Sequence, residues 1–323
     1  MKGPARRLRI LFLAPGWPPS HPAGSEVMGQ EISKALVAAG HSVTVSISRA
    51  QYSDGEYDLD GVHVLPFDNK GQDIERGSLA DLIIGHLADA QRATAISARY
   101  RIPSVVIVHN WQNVPIGATL TCFNSEWLAE DHGYTGRHTV VRPHVAIDEY
   151  VTTPGEHVTL INSNPSKGIH LVMDLIDEMP DVQFLVVEGT YGNPIRPPDR
   201  PNLTWQPFLA PERMRDEVYA RTKVLLMPSK YESWGRTGIE AMASGIPVIA
   251  HPTPGLRESL GAAGIYADRD DRDAWVAAIR KLSTPRSWLA ASKKARARAG
   301  EINDITASDL AALVETIPTL SRR

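Results

Sequence analysis

Two glutamates flank a glycine-bearing loop in the segment ESWGRTGIEAMASGIPVIAHPTPGLRE, which begins at Glu232. Seven residues separate Glu232 from Glu240, and small helix-forming residues and the apolar strand IPVIA follow directly. A capping box between Thr237 and Glu240 would explain the second glutamate, because that spacing lets the two residues close a helix start on itself. It would leave Glu232 without a structural role.

The same loop carries the parts of an anion site. Gly235 and Gly238 would let the backbone approach a ligand closely in front of a helix N-terminus. The free amides and the dipole of such a helix end attract anions, and Arg236 suits a phosphate. Amides and an arginine for phosphates, with carboxylates for vicinal hydroxyls, together predict a nucleoside-diphosphate sugar as the ligand.

The elements around this loop follow a strand-helix-strand order twice. The chain starts with strand RLRILFLAP, loop GWPPSHPAGS, helix EVMGQEISKALVAA and strand SVTVSIS, and the pattern restarts with HVTLINS, NPSK and GIHLVMDLIDEM. Continuous apolar strands of this kind indicate parallel sheets covered on both faces. The sequence therefore predicts an α/β protein with two doubly wound, Rossmann-like domains facing a central cleft, where ligands lie beyond the carboxyl ends of the strands.

Length and composition agree with two soluble domains. The chain has 323 residues, 42% of them hydrophobic, and a net charge of -3 provides no global field that would recruit nucleic acid or an anionic membrane. The single cysteine, Cys122, excludes an intrachain disulfide framework, favours a reducing compartment and is expected in the core. The first apolar run is too short to span a membrane and lacks a signal-peptide cleavage site, so a cytoplasmic location is expected.

The predicted domain boundaries follow the change in pattern. We expect a first domain at 1–145, a hinge at 146–156, a second domain at 157–300 and a C-terminal helix at 301–323 that packs back toward the first domain.

Taken together, these motifs resemble family 4 retaining glycosyltransferases of the GT-B fold. The glutamate pair followed by AMASGIPVIA and PTPGLRE resembles the donor-site signature, and PPSHPAGSE, GHSVTV, VIVHN, NPSKG and DVQFLVVEG extend the likeness over most of the chain. The resemblance implies a nucleotide-sugar-binding second domain and an acceptor-side first domain. It also implies transfer with retention, without a metal or other cofactor.

The resemblance also implies roles for individual residues. Glu232 would lie by the donor sugar, and Glu240 would hold the ribose hydroxyls. Lys167 would bind the diphosphate, His109 would approach the transferred sugar, and Gly24 would admit the diphosphate to the first domain. The predicted catalytic residues are His109, Glu232, Lys167 and Arg236; the predicted donor-binding residues are Gly24, Asn162, Asn164, Lys167, Trp234, Gly235, Arg236, Thr237, Gly238 and Glu240.

Two departures from the family pattern bear on the diphosphate. Ala23 precedes Gly24 where many relatives have two glycines. The family's second basic phosphate ligand, an arginine several residues before the lysine, is absent, and Asn162 and Asn164 occupy that region. Either Arg236 supplies the missing charge or the diphosphate is held by fewer cations.

Three other motifs are set aside. The Asp-x-Asp triplets at 58–60, 268–270 and 271–273 could bind a divalent metal, but the last two fit helix caps and no His/Cys/Asp cluster supports a metal site. The run KKARAR at 293–298 could contact a membrane surface or nucleic acid, but is interpreted as a solvated helix face. The loop after the first strand lacks G-x-G-x-x-G, which argues against a nicotinamide-dependent dehydrogenase.

The favoured function is transfer of a sugar from a nucleoside-diphosphate sugar to an acceptor hydroxyl, with the leaving diphosphate oxygen helping to take the hydroxyl proton. Uridine diphosphate glucose or N-acetylglucosamine is the default donor on family frequency, and a guanosine donor stays open. Two alternatives use the same ligand: a nucleotide-sugar epimerase of GT-B architecture, and a non-catalytic nucleotide-sugar-binding protein. The sequence does not identify the acceptor.

Overall fold

The computed structural model describes residues 6–68, 72–111, 114, 116–189 and 192–320. The chain divides into two units. The first comprises the chain up to His144 together with the segment from Thr306 onward, and the second runs from Val145 to Ile305. The segment 146–156, predicted as a hinge, lies within the second unit, where Tyr150 packs into the core.

The first unit is built on a largely parallel sheet with the strand order β3-β4-β2-β1-β5-β6-β7-β8, in which only β3 pairs antiparallel among the described strands. These strands are β1 (Arg9–Ala14), β2 (Ser42–Ile47), β3 (Tyr57–Leu59), β4 (Val62–Leu65), β5 (Leu82–His86), β6 (Ser104–Val108), β7 (Leu120–Phe123) and β8 (His138–Val140). The helices are α1 (Gly24–Ala38), α2 (Asp73–Leu79), α3 (Ala90–Tyr100) and α4 (Glu126–Asp131). Strands β5, β6 and β7 are buried along their whole length, as their continuous apolar sequences predict.

The second unit has a parallel sheet with the order β11-β10-β9-β12-β13-β14. Its strands are β9 (His157–Ile161), β10 (Phe184–Val187), β11 (Leu203–Gln206), β12 (Thr222–Met227), β13 (Val248–Ala250) and β14 (Ile265–Tyr266). Its helices are α5 (Ile169–Glu178), α6 (Met214–Glu217), α7 (Arg236–Ala243), α8 (Pro254–Leu260) and α9 (Arg272–Leu282). The doubly wound class predicted for both units is therefore observed.

Each sheet has a point where the chain order reverses. In the first unit β1 lies between β2 and β5, and in the second β9 lies between β10 and β12. Loops that leave two neighbouring strands in opposite directions open a crevice at the carboxyl edge of the sheet, which is where open α/β sheets bind ligands. The loops after β1, β5, β9 and β12 are thus the ones to examine.

Helix α10 (Pro285–Leu320) continues from the second unit into the first. It carries the basic run 293–298, in which Lys293, Lys294 and Arg296 are exposed, as the interpretation as a solvated face predicted, and Arg298 is partly buried. Arg296 donates to the carbonyl of Ser244 (3.2 Å), and Arg298 donates to the carbonyls of Ser259 (2.9 Å) and Glu258 (2.7 Å). Both therefore satisfy carbonyl groups at the ends of α7 and α8, where cations are favourable.

Cys122 is fully buried in the core of the first unit, as predicted, and burial raises the pKa of its thiol to about 12. Across the described ranges, no helix combines the length and apolar character needed to cross a membrane.

Candidate functional site

The loop after β12 leads into α7, which begins at Arg236. Gly235 is its N-cap and has a φ of +88°, a left-handed conformation that favours glycine. Among the described residues, no side-chain hydrogen bond caps the start of this helix. The capping box between Thr237 and Glu240 is therefore wrong, and Glu240 must have another partner.

That partner is Arg236. The Nε of Arg236 donates to Glu240 Oε1 (2.7 Å), and the hydroxyl of Tyr219 donates to Glu240 Oε2 (2.6 Å). Only 15% of the Arg236 side chain and 8% of the Glu240 side chain are exposed. Burial alone would lower the pKa of Arg236, but the Glu240 carboxylate and the Tyr150 hydroxyl outweigh it and raise that pKa. The charge predicted to meet a phosphate is thus already compensated within the protein.

The glycines at the start of α7 are closely packed. A Cβ at Gly235 would lie 2.4 Å from Leu256 Cδ2, and one at Gly238 would lie 2.8 Å from Leu260 Cδ2. Both glycines therefore lie against leucine side chains of α8, and at Gly235 the left-handed φ favours glycine as well, so packing and backbone conformation account for these residues without a ligand. The ring of Trp234, predicted to bind the donor, is likewise enclosed in the core of the second unit.

The loop after β9 brings a lysine to the same sheet edge. Lys167 ends a 3₁₀ turn that starts at Pro165, and its Nζ donates to Glu232 Oε1. Ser229 Oγ donates to the same carboxylate oxygen (2.9 Å). The Lys167 and Glu232 side chains are 18% and 15% exposed, so water screens the ion pair only partly. Lys167 and Glu232, 65 positions apart, thus meet beyond the carboxyl ends of the neighbouring strands β9 and β12.

Asn162 and Asn164 shape the loop that carries this lysine. Asn162 has a left-handed φ of +75°, and its Oδ1 accepts from the backbone N–H of Asn164 (3.2 Å). A Cβ at Gly189 would lie 2.3 Å from Asn162 Oδ1, so the end of β10 closes over the asparagine. These contacts give the pair a role in holding the loop. Their predicted contact with the donor stays a prediction.

In the first unit, Gly24 is the first residue of α1, after the loop that follows β1. It is exposed, and a Cβ built on it meets nothing within 4 Å among the described residues. The helix start is therefore open at this point, in contrast to the packed glycines before and within α7.

His109 follows β6 and is only partly exposed. Its Nε2 lies 3.1 Å from Nδ1 of His86, the last residue of β5. Desolvation lowers the pKa of His109 to about 4, so its ring is neutral at physiological pH. Sequence reasoning missed His86, although a histidine closes the strand DLIIGH in the same way that His109 closes SVVIVH.

Glu26 was also missed. It lies in the first turn of α1 with 1% of its surface exposed, and Ser25 Oγ donates to its Oε2 (2.6 Å). His21 Nε2 lies 3.9 Å from Oε1, and the charge of Arg49 also acts on the carboxyl group. Burial raises the pKa of Glu26 to about 7, so a neutral carboxyl group is well populated at neutral pH. An acid in a first helical turn is ordinary in sequence, and nothing in PAGSE reveals its burial.

Among the residues the structure describes, no group of three or more His, Cys, Asp or Glu side chains could hold a metal ion. Within the Asp-x-Asp triplets, Asp271 caps α9 by accepting from the N–H of Ala274 (3.1 Å), as its position before a helix predicted. Asp58 lies 3.2 Å from His63 instead, and Asp60 accepts from Gln30.

Known proteins share both sequence and fold with this chain. Residues 158–284 match the family model for glycosyl transferases group 1. D-inositol 3-phosphate glycosyltransferase of Corynebacterium urealyticum is 29% identical over 174 residues, which cover 48% of this chain and 41% of that protein. The enzyme of the same name from Rhodococcus opacus is 32% identical over 128 residues, 36% and 28% of the two chains. The chain thus matches less than half the length of these relatives.

Two solved structures are similar over nearly the whole chain. Sucrose-phosphate synthase from Thermosynechococcus elongatus has a TM-score of 0.75 at 16% identity, covering 97% of this chain and 99% of that one. HepE of Anabaena, solved in complex with UDP and glucose, has a TM-score of 0.74 at 19% identity, covering 96% and 99%. At these identities the likeness concerns the fold, and it confirms the predicted GT-B class.

Proposed function

We propose that the protein transfers a sugar from a nucleoside-diphosphate sugar to an acceptor hydroxyl, a proposal supported by the match of residues 158–284 to the family model for glycosyl transferases group 1. The observation that carries the proposal is the pairing of Lys167 with Glu232 at the carboxyl ends of β9 and β12. A cation and a carboxylate held at the switch point of a doubly wound sheet suit a ligand with phosphates and hydroxyls.

In this proposal Lys167 and the first amides of α5 and α7 bind the diphosphate. Helix N-termini supply N–H groups without intrahelical partners and a favourable dipole. Glu232 holds the lysine and accepts from a hydroxyl of the donor sugar. Glu240 accepts from the ribose, since each of its oxygens keeps a lone pair beyond the bonds to Arg236 and Tyr219.

The reaction breaks the bond between the anomeric carbon and the diphosphate oxygen and forms a bond from that carbon to the acceptor oxygen. The acceptor proton passes to the leaving diphosphate oxygen on the same face of the sugar, so the anomeric configuration is retained. Negative charge grows on the diphosphate as the sugar departs. Lys167 and the helix amides are fixed groups that stabilise this charge without reorganisation.

The donor and acceptor to test first come from the similar proteins. HepE is solved with UDP-glucose, which supports UDP-glucose as the first donor. The curated relatives are D-inositol 3-phosphate glycosyltransferases, which supports inositol phosphates as the first acceptors. Guanosine diphosphate glucose serves as the alternative donor.

The experiment is UDP release from UDP-glucose with an acceptor panel, with and without EDTA, followed by NMR of the product anomer. We expect acceptor-dependent release, a retained α-anomer and no effect of EDTA, because a lysine and helix amides face the diphosphate. Activity lost in EDTA and restored by manganese would contradict metal independence, and a β-anomer would contradict retention. An epimerised sugar formed from donor alone would identify an epimerase, and binding without turnover would favour a non-catalytic protein.

Gly24→Ala should slow transfer while leaving the fold intact. Its Cβ would meet no described atom within 4 Å, so a kinetic effect reports on a ligand rather than on packing. We expect kcat/KM to fall roughly tenfold, about 1.4 kcal/mol of lost transition-state binding. Steady-state kinetics with UDP-glucose and thermal unfolding measure the two effects.

The matched control is Gly300→Ala. Gly300 also lies in a helix, with open space around a built Cβ. Alanine should stabilise that helix by up to about 1 kcal/mol without changing transfer. Equal transfer rates for the two variants would remove Gly24 from the donor site.

A further inference from the structure

His86 is completely enclosed at the end of β5. Its ring stands edge-on to Phe12, with centroids 5.2 Å apart, and its Nδ1 faces His109 Nε2 at 3.1 Å. The remaining ring nitrogen, Nε2, is buried and has no hydrogen-bond partner in the part of the chain that the structure describes. Among the described residues, the ring of His86 thus has a single hydrogen-bond partner, His109, which is predicted to meet the sugar.

Both rings are neutral. Burial, followed by the proximity of His109, lowers the pKa of His86 well below its ordinary value, and desolvation lowers that of His109 to about 4. A neutral imidazole carries one proton, on either of its nitrogens. One hydrogen lies between His86 Nδ1 and His109 Nε2. The ring that carries this hydrogen donates it, and the other ring must then carry its own proton on its remaining nitrogen.

There are two arrangements. If His109 Nε2–H donates to His86 Nδ1, the proton of His86 is on Nε2, where it is a buried donor without an acceptor. If His86 Nδ1–H donates to His109 Nε2, the buried Nε2 of His86 is a bare acceptor and the proton of His109 is on Nδ1. We favour the second arrangement, because it leaves no buried N–H group without an acceptor, whereas the first would leave the Nε2–H of His86 as such an orphan.

We propose that His86 is a positioning residue that fixes the proton of His109 on Nδ1, so that His109 donates a hydrogen bond to an oxygen of the bound sugar nucleotide. The inference rests on the proposed function for the identity of that ligand. No described residue bonds to Nδ1 of His109, and its ring is partly exposed. Because His86 occupies the basic nitrogen, His109 cannot serve as the base for the acceptor hydroxyl, which leaves that proton to the departing diphosphate oxygen.

The direct test is long-range ¹H–¹⁵N NMR of ligand-free protein labelled with ¹⁵N-histidine, with His109 assigned by the loss of its signals in His109→Gln. We expect wild type to show a protonated Nδ1 and an unprotonated Nε2 for His109. His86→Leu removes the donor and should move the proton to Nε2 in much of the population. His86→Asn, whose amide can donate from nearly the same place, should keep it on Nδ1. A proton on Nε2 in wild type, or no change in His86→Leu, would overturn the proposal.

Kinetics with UDP-glucose supply the second readout. His86→Leu should lower kcat for UDP release roughly tenfold with little change in KM, and His86→Asn should restore most of it, as expected for one oriented hydrogen bond. A role in packing alone would give two variants that differ in stability but not in kcat, which would count against positioning. If wild type releases no UDP from any sugar nucleotide, the proposed function fails, and the NMR result still decides the tautomer. Thermal unfolding of each variant, including the His109→Gln protein used for assignment, checks the fold.

Discussion

Lys167→Ala is expected to lower kcat/KM for glycosyl transfer by roughly thirtyfold or more. Removing one partner of a buried, hydrogen-bonded charge pair typically costs about 2 to 5 kcal/mol, and about 1.4 kcal/mol corresponds to tenfold. The diphosphate becomes more negative as the sugar departs, so the lysine contributes more in the transition state than in the bound donor. The loss should therefore appear in kcat as well as in donor affinity.

The structure provides a matched control for this variant. Lys230 is an exposed lysine in the loop that carries Glu232, and its backbone N–H donates to the carbonyl of Ser166 (2.8 Å). Lys230→Ala removes the same charge from the same pair of loops while leaving the Lys167–Glu232 contact in place. We expect near-normal kinetics for it. If a well-folded Lys167→Ala variant also has normal kinetics, the diphosphate assignment is untenable.

The general fold could be predicted because apolar strand sequences report burial directly. Segments such as SVVIVH and KVLLMPS are too short and too uniformly apolar for an amphipathic helix, and they became β6 and β12. The sequence placed Lys167 and Glu232 in loops after strands but did not predict their contact, which depends on β9 and β12 being neighbours in the sheet. Residues placed after neighbouring parallel strands share one sheet edge, so the strand order alone brings their loops together.

Side-chain partners could not be predicted in the same way. Helical periodicity alone predicts one helix for the segment PERMRDEVYART, but the structure interrupts it: α6 ends at Glu217, and Val218 adopts φ -116°, ψ -62°. The break turns Tyr219 inward, where its hydroxyl meets Glu240. Helical periodicity does not encode such a long-range bond, because a tyrosine at that position satisfies the pattern whether or not the helix continues.

The same limitation applies to the anion site predicted around Arg236. Glycines and an arginine before a helix fit a phosphate loop, and they fit equally well a helix packed tightly on its neighbour with an internal ion pair. Burial decides between these interpretations, and the sequence does not give the burial of Arg236 and Glu240. In the structure, Arg236 forms an ion pair with Glu240 of the same helix.

Arg236→Ala should consequently act on stability first, lowering the free energy of unfolding by about 3 to 5 kcal/mol. The substitution leaves the Glu240 carboxylate buried with Tyr219 as its remaining donor among the described residues, and an uncompensated buried charge is the costly outcome of breaking such a pair. Adding Glu240→Gln to Arg236→Ala should recover part of the loss, because the charge that needed compensation is gone. The two changes should thus be strongly non-additive, and urea unfolding of the single and double variants measures the coupling.

Arg213→Ala is the matched control for that experiment. Arg213 and Glu217 have the same i, i+4 spacing, but their side chains are 55% and 37% exposed. An exposed pair of this kind contributes less than about 1 kcal/mol, so this variant should unfold almost as wild type does. The opposite pattern would return Arg236 to the role suggested by its sequence: an Arg236→Ala protein of normal stability, with donor affinity reduced as severely as in Lys167→Ala. The diphosphate would then be held by two cations, with Glu240 releasing its arginine when the donor binds.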